Sequence, residues 1–209
     1  MVEKGELEIE LGLFGISHDR GTNEITVPSL IVNYGLLKNW EVVGEFDVQV
    51  HKEGKDRNSE LKDPALFLKG VLREGILQDE EGVSFAVEFG VLLPSTVKGE
   101  RDAGLEGIGI VSGKMSDVIY HLNFGGELDR EDFDPNGIWG IILEYPHDGK
   151  FRAVGEVNGV VKYDGSPDNS GLIGFIWERA GVDIDLGFRK GFSDAASDWE
   201  FTTGITVSF

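Results

Sequence analysis

The chain has 209 residues, 38 acidic and 19 basic, a formal charge of −19, 30 glycines and no cysteine. The missing cysteine excludes disulfides, thiolate metal sites and thiol nucleophiles. The acid excess speaks against a nucleic-acid partner, whose phosphates need a basic face. Glycine at about twice the usual ~7% points away from a helical bundle, toward turns and closely approaching strands. Nowhere does an apolar run approach the ~20 residues of a membrane helix, and Met1–Glu6 carries no hydrophobic signal segment. A cytosolic chain or a mature exported one fits that start.

From the first strand onward the pattern has a period of two. Leu7, Ile9, Leu11 and Leu13 point one way and Glu6, Glu8 and Glu10 the other. A strand sorts residues in this manner, whereas a helix would scatter them around a cylinder. Trp40, Val42, Phe46, Val48 and Val50 then alternate with Glu41, Glu45, Asp47, Gln49 and His51. Val83, Phe85, Val87, Phe89 and Val91 follow, opposing Ser84, Ala86, Glu88 and Gly90. Val118, Tyr120, Leu122 and Phe124 oppose Ile119, His121 and Asn123, and Phe151, Ala153 and Val157 oppose Arg152, Glu156 and Asn158. Val182, Ile184, Leu186 and Phe188 oppose Asp183, Asp185 and Arg189.

About twelve strands of roughly 9–12 residues result. They fall near 5–16, 24–34, 40–51, 63–73, 83–93, 105–113, 118–128, 137–145, 151–162, 171–178, 182–191 and 199–209. Glycine blurs the alternation in 63–73 and 105–113. Connections at 17–23, 52–62, 94–104, 129–136, 163–170 and 192–198 read as longer polar loops, and those between them as mostly tight turns. An even strand number with alternating long and short connections is the layout of an outer-membrane barrel, with both termini on the short-turn, periplasmic side.

Strands of this length match a hydrocarbon layer at a ~45° tilt, while sandwich strands run nearer five or six residues. Aromatic residues gather at strand ends. Tyr34, Trp40, Tyr120, Tyr145, Phe151, Trp177 and Phe209 fall on the short-turn side, and Trp139, Phe188 and Trp199 toward the long loops. Two such belts suit the two lipid–water interfaces. The final strand, Trp199, Phe201, Thr203, Ile205, Val207 and Phe209, ends on an aromatic. It resembles the signal read by the bacterial barrel-assembly machinery. The expectation is a single closed antiparallel transmembrane β-barrel over 1–209, monomeric, in outer-membrane lipid. An acidic soluble β-protein is the other fold to weigh.

Several phrases are similar to one family, the outer-membrane transporters of the "MetA-pathway of phenol degradation". They are Pro28–Val43, Asp63–Lys69, Leu92–Thr96, Tyr120–Gly125, Gly155–Val157 and Gly204–Phe209, in the family's order across most of the chain. Pro94-Ser95-Thr96 stands where the family has Pro-Thr-Gly. The resemblance implies uptake of small solutes, aromatic ones included, and brings no catalytic residues.

With the apolar face on lipid, the other face lines a lumen. Its expected lining is Glu8, Glu41, Glu45, Asp47, Lys69, Arg73, Glu88, His121, Asn123, Glu127, Arg152, Glu156, Asp183, Asp185 and Arg189, with His51 as a further base. Such a surplus of acid favours cations and repels anions. Paired across strands, the same charges would instead fill a narrow barrel with a structural or partner-binding role. Catalysis is not expected: His121 and Asn123 share a face, but no serine stands out beside them. No cofactor motif is present, and loop acids such as Asp56 and Asp129 lack the spacing of a calcium loop, so no metal site is expected.

Overall fold

A computed structural model describes the whole chain except residues 54, 55, 79, 98–100 and 147, with backbone alone at 22, 24, 49, 51–53 and 56–58. The side chains of His51 and Asp56 therefore lie outside the described residues. Twelve strands form: β1 (Leu7–Asp19), β2 (Thr22–Leu37), β3 (Trp40–Glu53), β4 (Asp56–Arg73), β5 (Ser84–Leu92) and β6 (Gly104–Met115). β7 (Val118–Leu128), β8 (Pro135–Tyr145), β9 (Phe151–Val161), β10 (Pro167–Arg179), β11 (Val182–Gly191) and β12 (Trp199–Ser208) complete them. Each pairs antiparallel with its sequence neighbours, and β12 returns to β1, so the sheet closes. At the seam Leu7 and Phe209 exchange backbone hydrogen bonds, of 3.1 Å and 2.8 Å, and the ladder runs from Glu8 opposite Ser208 to His18 opposite Trp199.

The first two long-side connections differ from expectation. Residues 17–23 and 52–62 read as loops, yet β1 runs to Asp19, β2 starts at Thr22, β3 reaches Glu53 and β4 begins at Asp56. Polar side chains on both faces stop the alternation without stopping the backbone ladder, because a paired strand standing in water needs no apolar face. The β1–β2 hairpin turns on Arg20 and Gly21 alone, both at positive φ (45° and 87°), as a two-residue turn matched to strand twist requires. β10 likewise begins at Pro167, inside the expected loop 163–170.

The distribution of apolar groups is inverted relative to a water-soluble protein. The buried hydrophobic residues are Val2, Val43, Ala65, Phe67, Val71 and Leu92, whereas Leu66, Phe89, Phe124, Ile173 and Phe175 are exposed on the outer face. Among the described residues, charged side chains reach that face only near strand ends, as at Arg73, Arg179 and Lys190. A contiguous apolar belt around a closed sheet has no stable contact with water, and it separates this fold from a soluble β-sandwich.

Glycine on the outer face makes room for rings. Trp40 lies over Gly70, Tyr120 over Gly113, and the indole of Trp139 over Gly159. A Cβ on Gly70 would sit 2.6 Å from Trp40 Cε3 and Cζ3. Gly70→Val is therefore expected to displace the Trp40 ring and cost about 1–3 kcal/mol. Urea unfolding in lipid vesicles, followed by tryptophan fluorescence, measures it; an unchanged midpoint would show that the ring is not held there.

Candidate functional site: the barrel lumen

Cross-strand register decides which side chains share the inward face. Glu8 stands opposite Asn33, Asn33 opposite Val43, and Val43 opposite Phe67. Phe67 continues the row to Gly90 and Glu106, which faces Glu127. Glu41, Glu45, Asp47, Lys69 and Glu88 lie on the same face by these registers, as do His121, Asn123, Arg152, Glu156, Asp183, Asp185 and Arg189 by those of β6 to β12.

Arg73 does not. A register shift between Val71 and Arg73 places Arg73 opposite Phe85, with its guanidinium carbon 5.8 Å from the centre of that ring on the outer face. One extra residue in a strand turns every later side chain to the other face, and the sequence pattern gives no warning of the shift.

Three lumen cations are each shared by carboxylates. Lys69 Nζ lies 3.7 Å from Glu41 and 3.6 Å from Glu88. Arg152 reaches Asp183 at 2.7 Å and Glu144 at 3.3 Å. Arg189 reaches Glu156 at 3.2 Å and Glu200 at 3.9 Å, and donates to Ser170 Oγ at 2.8 Å and Asn158 Oδ1 at 3.0 Å. Asn158 in turn donates to Glu156. Neutral partners hold further acids: Asn33 donates to Glu10 at 2.8 Å, Asn136 to Glu127 at 3.0 Å, and Ser208 to Glu8 at 2.8 Å. Glu45, Glu106 and Asp185 have no cation within 4 Å among the described residues.

Some lumen charges escaped the sequence reading, and so did most of the lumen's apolar lining. Glu106 faces Glu127, and Lys62 is opposite Asp47. Glu106 shares its face with Ile108, Ile110 and Ser112; two isoleucines beside outward glycines make the polar and apolar faces of β6 indistinguishable by composition. Val43, Ala65, Phe67 and Leu92 pack together on the inner wall, with Ile31 against them. Arg130 enters from the loop after β7, donating to Leu93 O at 2.9 Å, Pro64 O at 3.1 Å and Asp63 at 3.2 Å.

Space remains inside. A cavity of about 640 Å³ fills the short-turn half, bounded by Lys69, His121, Asn123, Glu144, Arg152 and Glu156, among others. Two smaller spaces lie nearer the long loops. One, of about 250 Å³, is lined by Glu10, Asp47, Lys62, Asp185 and Glu200, among others; the other, of about 200 Å³, by Glu45, Glu88, Glu106, Glu127 and Arg130, among others. At the short-turn mouth the N-terminal segment crosses the rim: Val2 N–H donates to Glu41 Oε2 at 2.6 Å, and Gly5 N–H to Gly35 O at 2.7 Å. The 3-10 turn Ile76–Gln78 lies beside it, tied to Ser84 by Leu77 N–H (3.3 Å) and by the Gln78 amide (3.1 Å). His121 meets Ser112 Oγ at 2.8 Å, and that serine is only 1% exposed. Among the described residues no group of three or more His, Asp or Glu is arranged to hold a metal ion.

The ring residues occupy both ends of the outer face. Tyr34, Tyr145, Phe151, Trp177 and Phe209 are exposed toward the short turns, where Phe151 stacks on Phe175 at 5.5 Å. Trp40 and Tyr120, over their glycines, belong to the same end. Trp139 lies toward the long loops, and Trp199 stacks on His18 at 5.8 Å there.

Glu41 is buried and depends on Lys69 and the Val2 amide. Lys69→Met is expected to cost about 2–3 kcal/mol, since it strands a buried carboxylate, and Glu41→Gln in the same chain should recover much of it. Paired unfolding curves in vesicles give the coupling; additive losses would exclude it. In the loop after β7, burial raises the Asp129 pKa, but backbone N–H groups of Asp132, Asp134, Glu131 and Phe133 outweigh it and hold the carboxyl below its ordinary 3.8. A depressed folded value contributes stability that is present above 3.8 and lost as pH falls through the folded value. Amide exchange at Asp132 and Phe133 should therefore accelerate only below that range; acceleration at higher pH would contradict it.

No family model and no curated protein matches the sequence, so the phenol-degradation resemblance rests on its phrases alone. Solved structures do match. The translocator domain of the autotransporter NalP from Neisseria meningitidis aligns with a TM-score of 0.50 at 14% identity, over 99% of this chain and 89% of that one. A chain from work on in-meso crystallization of membrane proteins gives 0.50 at 9%, over 98% and 83%. The outer-membrane channel DcaP of Acinetobacter baumannii gives 0.40 at 12%, over 98% and 95%. The two alignments at 0.50 concern the fold alone, a closed antiparallel barrel.

Proposed function

We propose that the protein is a monomeric channel of the bacterial outer membrane through which small solutes diffuse passively, with a lumen that favours cations. The reading rests on one observation: inside a barrel with an apolar exterior, carboxylates outnumber the cations that could neutralise them. Lys69, Arg152 and Arg189 are each shared between acids. Glu45, Glu106 and Asp185 line open spaces that also hold Lys62 and Arg130, but none has a cation within 4 Å among the described residues. Fixed negative charge in a low-dielectric bore raises the local concentration of mobile cations and lowers that of anions.

In this reading the strand β12 that leads to Phe209 is what the barrel-assembly machinery recognises. The ring residues at both ends anchor the barrel in outer-membrane lipid. Catalysis is not part of this reading: Ser112, hydrogen-bonded to His121, is only 1% exposed. A second reading, a narrow barrel with a structural or partner-binding role, draws on the N-terminal segment and the Ile76–Gln78 turn across the short-turn mouth.

Ionic current through purified protein in a planar bilayer, under a tenfold salt gradient, tests the proposal. Discrete steps with a cation-selective reversal potential are expected, and Glu45→Lys with Asp185→Lys should move that potential toward anions. Stable insertion without steps would overturn the channel and leave the structural reading. Steps that ignore both charge reversals would remove the lumen acids from selectivity.

A further inference from the structure

We propose that the cavity in the short-turn half of the lumen is a binding site for a compact neutral solute with an aliphatic body, one hydrogen-bond donor and one acceptor, such as an amide or an alcohol. The site rests on the channel reading and deepens it: here a passing solute would pause. Its volume of about 640 Å³ falls in the range of small-molecule pockets.

Three observations define the ligand. First, the wall is aliphatic where an ion path has no use for it. Ile110, Ile119, Ile142, Val154 and Ile176 all line the cavity, brought together by consecutive registers from β6 to β10. Side chains of this kind shed water only against another apolar surface. Second, two residues that line the cavity each carry a buried polar atom with no hydrogen-bond partner, Asn123 Oδ1 and Arg152 Nε. Buried polar groups in folded proteins are almost always matched, and their neighbours here are: Ser112 with His121, and Glu156 with Arg189. Asn123 Oδ1 calls for a donor and Arg152 Nε–H for an acceptor. Third, the basic side chains on the wall already have acidic partners. Lys69 is held by Glu41 and Glu88, and Arg152 by Glu144 and Asp183, so a carboxylate entering the cavity would face Glu144 and Glu156 with no unpaired basic side chain among the described lining residues. An ammonium could not accept from Arg152. A neutral amide or alcohol matches both orphaned atoms and leaves its carbon skeleton for the isoleucines.

Caprolactam, an aliphatic ring with one amide N–H and one carbonyl, is a soluble probe. It is titrated into micellar protein carrying 13C-labelled isoleucine methyls. Saturable shifts are expected at Ile110, Ile142 and Ile176, and not at the outward Ile141, Ile173 and Ile184. N-methylcaprolactam, which has lost its donor, should bind roughly tenfold more weakly to the unaltered protein, as should hexanoate; Asn123→Leu should lower caprolactam affinity by a similar factor. Non-saturating shifts, equal shifts on outward methyls, or equal affinity for the two lactams would overturn the site. The N-methyl comparison holds whether or not the variant folds. Bilayer current on the same preparation separates the two proposals. Current without saturable binding overturns the site alone, and saturable binding without current upholds the site while overturning passage.

Discussion

Backbone polarity in hydrocarbon governs this fold. Lipid offers no partner to an N–H or a C=O, so every strand must be paired along both edges. A sheet meets that demand only by closing. The reciprocal bonds between Leu7 and Phe209 begin the seam that does so, and the features of the outer face follow from it. A closed ladder fixes which residues face out, so a single register shift, as at Arg73, reassigns a side chain from lumen to exterior. It also brings neighbouring strands close enough that large rings need glycine opposite them, as Trp40 needs Gly70.

The interior answers a different demand. It holds cavities rather than hydrocarbon, so polar groups are tolerated, but space is short and many of the charges carry one sign. Cations are therefore shared between carboxylates, and asparagine and serine fill the gaps, as around Arg189. Apolar side chains take the rest of the wall, on β3 to β5 around Phe67 and on β6 to β10 around the larger cavity. The outcome is a lumen of two characters, acidic toward the long loops and amphipathic toward the short turns.

Much of this was legible in the sequence, because a period of two is hard to produce otherwise. The strand count, the antiparallel order and the closing strand from Trp199 to Phe209 came from alternation alone. Where polar residues occupy both faces, as in 17–23 and 52–62, alternation ends while hydrogen bonding does not, and strands were read as loops. Where apolar residues occupy both faces, as in β6, the inward isoleucines could not be told from outward ones. Arg73 failed for a third reason, a bulge that leaves no mark on composition. Partnerships such as Lys69 with Glu41 and Glu88 depend on register between strands, which no single strand encodes.

The unequal strand lengths have an effect on the shape of the entrance. β1 to β4 span 13 to 18 residues, while β5 has 9 and β11 and β12 have 10 each. At ~3.3 Å per residue and a tilt near 40°, the taller staves rise on the order of 10 Å above their neighbours. The rim on that side is thus cut on the slant, like the lip of a jug. On the opposite flank the ladder stops sooner, and the connections after β5, β7 and β11 take over from strand backbone.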